Sequence, residues 1–256
     1  MTGDEPNFSL NVGALTDKGC VRSHNEDCLA LVAQAGLWAV ADGMGGHAAG
    51  DVASAIIAEE LASLGVPVSA QDQRARVLER LERAHHRIRS HAQTHDLAMA
   101  GATIAALLIH GAELTCIWAG DSRIYLWRDG RLTPLTRDHS EVAQMIAAGT
   151  MTEAEARMAP RRNVITRAIG IGAQARPELV SGAVRPGDRL LICSDGLTEH
   201  LDDADLAHEL GLPALAPDTA ARLMAQTLER GARDNVSVVV VDCQPRPEAD
   251  ADDRMP

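Results

Sequence analysis

Aromatic residues are nearly absent from this 256-residue chain: Phe8, Trp38, Trp118, Tyr125 and Trp127 are all it has. With 46% hydrophobic residues a full core is available, and it must be built from Leu, Val, Ile and Ala. Cysteine is sparse and unpaired in pattern. Cys20, Cys28, Cys116, Cys193 and Cys243 are odd in number, contain no C-x-x-C, and sit mostly in apolar runs. That usage excludes a disulfide scaffold and fits buried free thiols in a reducing compartment. No apolar stretch approaches the roughly 20 residues of a membrane span. The first residues, MTGDEPNFSL, lack the basic and apolar regions of a secretory leader, so a cytoplasmic chain is expected. Positive charge is in deficit, with 24 Lys and Arg against 36 Asp and Glu, a formal net charge of -12. This argues against a nucleic-acid or anionic-membrane partner. The acidic surplus suits a protein that gathers divalent cations, and suits simple solubility equally well.

The length allows one large domain or two small ones. Residues 1–7 are expected to be flexible, and 244–256, rich in Pro and acid with little that is apolar, to be a disordered tail. Between them, 8–243 reads as one domain. Ten short apolar runs suggest strands: FSLNVGAL, DCLALVAQ, LWAVAD, GATIAALLIH, ELTCIWAGD, SRIYLWRD, GRLTPLT, ELVSGAV, DRLLICSD and VSVVVVDC. Helical periodicity marks 49–64 and 71–95, and a third helix is expected from about Thr219 to Glu229 with Asp218 as N-cap. From Gly101 to Thr136 the strands follow one another directly, and RDGR (128–131) carries an Asp-Gly hairpin signal. The long insertion at 138–168, helix-prone at first and then basic, reads as a flap.

The stretch LWAVADGMGGHAAG (37–50) fits the loose dinucleotide pattern G-x-G-x-x-G/A through Gly43, Gly45 and Ala48. Its context argues against that use. A nucleotide-binding turn needs strand–helix–strand units and an acid near a second strand end about 20 residues on. Here the chain is an antiparallel meander, and the required position falls in a helix near Glu59 and Glu60.

Acids recur where apolar runs end. Asp42 closes LWAVAD, Asp121 follows LTCIWAG, Asp195 closes RLLICSD, Asp234 precedes NVSVVVV, and Asp27, beside Glu26, opens CLALVAQ. Each alone is most simply a turn residue, as in Asp42-Gly43, Asp195-Gly196 and Asp121-Ser122. If the strand ends meet, such carboxylates repel one another and stay ionised only with cations among them. An all-oxygen set selects hard ions such as Mg²⁺ or Mn²⁺.

Seven segments taken in order carry a resemblance: TDKGCVRSHNED (16–27), ADGMGGHAAG (41–50), GATIAALLI (101–109), AGDSRIYLWRDG (119–130), RNVITRAIG (162–170), LLICSDGLTEHL (190–201) and RDNVSVVVV (233–241). The sequence resembles the metal-dependent Ser/Thr protein phosphatases of the PPM or type 2C family, in its bacterial branch, over about residues 8–243. The resemblance implies an α+β fold, a four-layer αββα sandwich of two antiparallel sheets flanked by helices; ten strand candidates suit two five-stranded sheets. It implies hydrolysis of phosphoserine and phosphothreonine in proteins by a metal-activated water at a dinuclear Mn²⁺ or Mg²⁺ centre, with a third, weaker ion in bacterial members. By position Asp42 would bridge the two ions, the Gly43 carbonyl would bind one, and Asp195 and Asp234 would complete the other. Glu26 and Asp27 would hold metal-bound waters, Asp121 with Asp195 matches the third site, and Asn235 orients its neighbours. Arg22 matches the phosphate-binding arginine, whose planar fork grips two phosphoryl oxygens.

Many eukaryotic members carry a histidine two residues after the bridging Asp, where this chain has Met44; the bacterial form places it at His47, a candidate catalytic residue that could donate a proton, hydrogen-bond to a metal-bound water or support the loop. His85, His86, His91 and His95 are expected on a solvated helix face, and His139 has no interpretable company. The partners implied are phosphorylated proteins and a bacterial Ser/Thr kinase, with the phosphatase itself a monomer. The competing reading from another class is a pseudophosphatase acting as a regulatory binding module, which loss of one acid would favour; none is missing.

Overall fold

The computed structural model describes residues 7–45, 49–159, 161 and 164–246. Two antiparallel sheets are stacked face to face. The first is ordered β1 (Phe8–Asp17), β11 (Val236–Pro245), β10 (Arg189–Cys193), β7 (Arg123–Arg128) and β8 (Arg131–Pro134). The second is ordered β2 (Asp27–Val32), β3 (Leu37–Met44), β5 (Ile104–His110), β6 (Glu113–Ala119) and β9 (Glu178–Ala183). A two-residue strand, β4 (Gly101–Ala102), pairs with the end of β3 through Gly43↔Ala102 and Met44↔Gly101. All ten expected runs form strands. The eleventh arises because GATIAALLIH turns at Thr103 and splits into β4 and β5.

Three apolar layers hold the stack together. Trp38, Val40, Leu107, Cys116, Ile124, Ile192 and Val239 fill the space between the sheets. Leu37, Ala39, Ala106 and Leu108, on the opposite face of the second sheet, pack against α1 (Ala49–Ala62) and α2 (Ala70–Thr94) through Ile57, Leu61, Val77 and Leu81. On the outer face of the first sheet, Leu191, Val238 and Val240 meet Leu197 of α5 (Asp195–Thr198), Leu206 of α6 (Asp203–Gly211) and Leu223 of α7 (Ala216–Glu229). Strands buried on both faces show no polar alternation, which explains LWAVA and VSVVVV. In β11, Val239 and Val241 face the other sheet while Val238 and Val240 face the helices.

Local chemistry sets several boundaries. Asp129 (φ 51°) and Gly130 (φ 76°) both adopt positive φ, the requirement of a tight two-residue hairpin loop. Ser69 caps α2 by accepting from the Asp72 N–H, and Asp202 opens α6 in a capping box with Asp205. The third expected helix begins earlier than Asp218. α7 starts at Ala216, with Pro217 in its first turn, and the Ala216 N–H is satisfied by Asn11 Oδ1 of β1 at 3.0 Å. A long-range cap replaces the local one. The insertion contains α3 (Glu141–Ala147) and α4 (Glu153–Met158), and β11 runs to Pro245, two residues into the expected tail.

Because Leu107 is fully buried between the sheets, Leu107→Ala is expected to lower unfolding free energy by about 2–5 kcal/mol in urea titration. Leu179→Ala on half-exposed β9 should stay within about 0.5 kcal/mol.

Candidate active site

The antiparallel pairing that builds the sandwich brings its strand-end acids to one place. In the β2–β3 register Asp27 lies opposite Asp42. Asp195 leaves the end of β10 where Asp234 leads into the adjacent β11, and Asp121 follows β6 in the turn to β7. Burial dominates the environment of Asp42 and holds its carboxyl well above the ordinary carboxylate range; the charges of Asp27, Asp195, Asp121 and Asp234 then add to the effect. Asp195 is raised in the same way, by burial and then by Asp121, Glu199, Asp234 and Asp27. Burial pushes Asp27 and Asp121 each to about 6. The five aspartates therefore form one electrostatic cluster, in which full ionisation requires a compensating cation.

Asp27 shows what the cluster lacks. It is 5% exposed. Its Oδ2 accepts from Ser194 Oγ at 2.9 Å, while its buried Oδ1 makes no hydrogen bond of good geometry among the described residues, although the Ser237 hydroxyl is close enough to favour the charged carboxylate. Nearby Ser237 Oγ is engaged with Thr16 Oγ1 at 2.8 Å. An orphaned carboxylate oxygen among other carboxylates is what a hard cation or its water would satisfy. No three His, Cys, Asp or Glu side chains among the described residues are grouped closely enough to hold an ion unaided. Bound water would then have to complete the coordination, as is usual for Mg²⁺.

The glycines of the ADGMGG segment serve backbone approach. The Gly43 N–H donates to the Glu26 carbonyl at 3.1 Å, and a Cβ on Gly43 would lie 2.1 Å from the Gly50 carbonyl oxygen. A Cβ on Gly50 would lie 2.5 Å from Glu26 Oε2. Only glycine lets the end of β3, the start of α1 and Glu26 close together. His47 lies outside the described residues.

The rim is set by Asn235. Its Oδ1 accepts from the Glu26 N–H at 2.8 Å, and its Nδ2 donates to the Lys18 and His24 carbonyls at 3.0 and 2.9 Å. This ties the 18–26 loop to the chain beside Asp234. Arg22 on that loop, its side chain 54% exposed, donates from Nη2 to Asp234 Oδ2 at 2.6 Å. The remaining guanidinium donors are available to an anion.

Several supporting residues escape the sequence reading. Thr103 exchanges backbone and side-chain bonds with Asp42: its N–H donates to the Asp42 carbonyl at 2.8 Å and its Oγ1 accepts from the Asp42 N–H at 3.3 Å. Thr103 Oγ1 also pairs with Ser122 Oγ at 2.7 Å. The one signal for Thr103 was a lone hydroxyl inside an apolar run. His139, expected to be without company, stacks on Trp118 and accepts from the Gly120 N–H. His85 corrects the expectation of a solvated helix face: it is fully buried, and its Nδ1 accepts from the Gly170 N–H at 3.0 Å.

Known proteins place this arrangement. The family model for protein phosphatase 2C matches residues 21–236. The serine/threonine protein phosphatase PstP of Mycobacterium tuberculosis is 39% identical over 234 residues, covering 91% of this chain and 45% of PstP, so the chain spans about half the length of that relative. A putative protein phosphatase 2C-type protein of Streptococcus pyogenes is 34% identical, with 91% of this chain and 97% of that protein covered. Among solved structures, PppA, a key regulatory component of T6SS in Pseudomonas aeruginosa, superposes with a TM-score of 0.85 at 35% identity, covering 92% of this chain and 99% of PppA. The catalytic domain of PstP in complex with two manganese ions gives 0.83 at 37% identity, covering 92% and 98%. Across the sandwich and the acid cluster alike, the chain belongs to the protein phosphatase 2C family.

Proposed function

We propose that this chain hydrolyses phosphoserine and phosphothreonine in proteins, using two Mn²⁺ or Mg²⁺ ions and a third, weaker one. The observation that carries this reading is the convergence of five aspartates with an orphaned Asp27 oxygen beside an arginine-bearing rim. The manganese-bound PstP domain supports the choice of ion. Asp42 would bridge the two ions, the Gly43 carbonyl would join it on one, and Asp195 and Asp234 would serve the other. Asp121 with Asp195 would hold the third, and Glu26 and Asp27 would fix bound waters. When bound, such ions supply positive charge that polarises a phosphoryl group and acidifies water.

The chain's own residues then have definite tasks. Arg22 presents its planar donors to the phosphoryl oxygens and offsets charge that builds on them during displacement. Asn235 holds the Arg22 loop at a fixed distance from Asp234. Thr103 and Ser122 hold the backbone of Asp42 and its neighbouring turn. Overall, a water O–P bond forms as the ester P–O bond breaks, the water gives up one proton, and the departing alkoxide gains one. No nucleophilic side chain is required, so Ser194 serves as a strut between Asp27 and Ser237. A phosphoprotein substrate implies an opposing Ser/Thr kinase, and we place both in the cytoplasm, with the phosphatase acting as a monomer. No helix among the described residues is long and apolar enough to cross a membrane. A non-catalytic regulatory module is the weaker reading, because no acid of the cluster is lost.

Turnover of a phosphothreonine peptide should depend on added Mn²⁺ and vanish in EDTA. Asp42→Ala or Asp195→Ala should lower kcat/KM by several orders of magnitude with the circular dichroism spectrum unchanged; wild-type-like turnover in either would refute the assignment. Arg22→Ala should lower kcat/KM on the order of 100-fold, and Arg22→Lys should restore it only in part.

The raised carboxyl groups also fix a pH effect on the metal-free protein. Asp27 and Asp121 bind protons more tightly folded (about 6) than unfolded (about 3.9), so their contribution to stability is greatest at low pH and is lost as pH rises through 6. Thermal melts in EDTA should therefore show a site contribution that weakens between about pH 4 and 6. The Tm gain on adding Mn²⁺ should be larger at pH 7.5 than at pH 5.5, where protons compete; equal gains would contradict the shared cluster. Asp42→Asn in EDTA should melt no lower than wild type at pH 7.5, because it removes a repelled buried charge.

A further inference from the structure

His139 stands at the entry to the 138–168 insertion and is 7% exposed. Its ring stacks on Trp118 of β6, with centroids 5.8 Å apart and planes 10° apart. Its Nδ1 accepts from the Gly120 N–H at 3.2 Å, while its own backbone N–H donates to the Gly120 carbonyl at 2.9 Å. Gly120 is the residue before Asp121. With Nδ1 accepting, the ring proton sits on Nε2, which lies 3.4 Å from Glu178 Oε1 at the start of β9. At the other end of the insertion, the Thr166 N–H donates to the His139 carbonyl at 2.6 Å, and Arg167 pairs with the same Glu178 oxygen at 2.6 Å. Asp138, next to His139, receives both arms of Arg123 at 2.8 and 2.7 Å, two residues beyond Asp121.

The turn itself is tightly packed. Gly120 has φ 120°, and a Cβ there would meet the Thr103 Cβ at 2.5 Å. Its backbone has little freedom to find another partner for its N–H, so the imidazole acceptor is a specific requirement. Both limbs of the insertion and the residue preceding Asp121 thus converge on one residue: the imidazole holds the Gly120 N–H and reaches Arg167 through Glu178, and the main-chain carbonyl holds Thr166.

We propose that His139 is a positioning residue that locks the Asp121 turn to both limbs of the 138–168 insertion, so that the two are ordered together. The cation held through Asp121 then depends on this imidazole. Only that last consequence rests on the assignment of Asp121 as a ligand.

The test uses the full chain, two substitutions of His139 and one of Asp121. His139→Phe keeps the stack on Trp118 and removes the acceptor. His139→Asn restores an acceptor oxygen at the Nδ1 position. Amide hydrogen exchange is followed in EDTA, and Mn²⁺ binding by calorimetry. In His139→Phe, exchange at Gly120 should rise about tenfold or more, exchange across 164–168 should rise with it, and the weakest Mn²⁺ step should lose about tenfold in affinity. In His139→Asn, both segments should return to within about threefold of wild type. Wild-type protection in the Phe variant overturns the proposal, as does loosening of one segment without the other, or an Asn variant no better than Phe. If the Phe variant does not fold, the Asn variant decides alone: retained Gly120 protection supports the lock, and lost protection overturns it. Asp121→Ala separates the two assignments. It should abolish the weakest Mn²⁺ step while 164–168 stays protected; an unchanged Mn²⁺ titration refutes the ligand role of Asp121, while the exchange data still decide the role of His139.

Discussion

Repulsion among Asp27, Asp42, Asp121, Asp195 and Asp234 is the constraint on which the rest of this molecule depends. Burial, and after it the charges of their neighbours, holds Asp42 and Asp195 above the ordinary carboxylate range and weakens the metal-free fold at neutral pH. The opposing stabilisation comes from the three apolar layers, whose largest fully buried members include Trp38, Tyr125, Leu107 and Ile117. Register makes this exchange possible. A slip of one residue between β2 and β3 would move Asp27 to the other face of the sheet and break the Asp27–Asp42 pairing. The same slip would turn Leu29 out of the inter-sheet layer and Ala30 and Val32 away from the α1–α2 side. The core and the site are therefore specified by one register.

Close backbone approach is the second element of the design. Gly43 and Gly50 leave no room for a Cβ where the end of β3, the start of α1 and Glu26 meet. This is why glycines cluster after Asp42 without forming a nucleotide-binding turn. The antiparallel context leaves no crossover helix to receive a pyrophosphate, and the acid cluster would repel one. On the proposed reading, a phosphate would approach only where cations and Arg22 reverse the local field. Arg22 is held by a carboxylate, Asp234, and by a loop that one asparagine, Asn235, ties down with three hydrogen bonds.

Periodic and punctuating features were legible in the sequence: the ten apolar runs, the α1 and α2 helices, the Asp-Gly turn and the acids at strand ends. Composition carried the Leu, Val, Ile and Ala core. Convergence was not legible from spacing, because residues 27, 42, 121, 195 and 234 meet only through long-range pairing; the family resemblance supplied it. The start of α7 was misplaced because Asn11, some 205 residues away, satisfies its first N–H. His85 and His139 were undervalued for a related reason. A histidine that accepts one backbone N–H inside a packed turn leaves no periodic trace, since its partner glycines lie 85 and 19 residues distant.

The site straddles the two sheets, and this bears on how stability and function are linked. Asp27 and Asp42 belong to the second sheet, while Asp195 and Asp234 flank strands of the first. Their separation is set by the packing of Trp38, Val40 and Leu107 against Ile124, Ile192 and Val239, more than by any loop. Packed interiors resist small displacements, so the spacing of the carboxylates is as rigid as the core beneath them. The acidic cluster in turn repels across the same interface, and cations bound there would offset that repulsion. Core and cluster oppose each other across one interface, and ions bound at the proposed centre would restore stability that the repulsion removes. On the proposed reading the site would gain rigidity at the point where bound ions balance its charge.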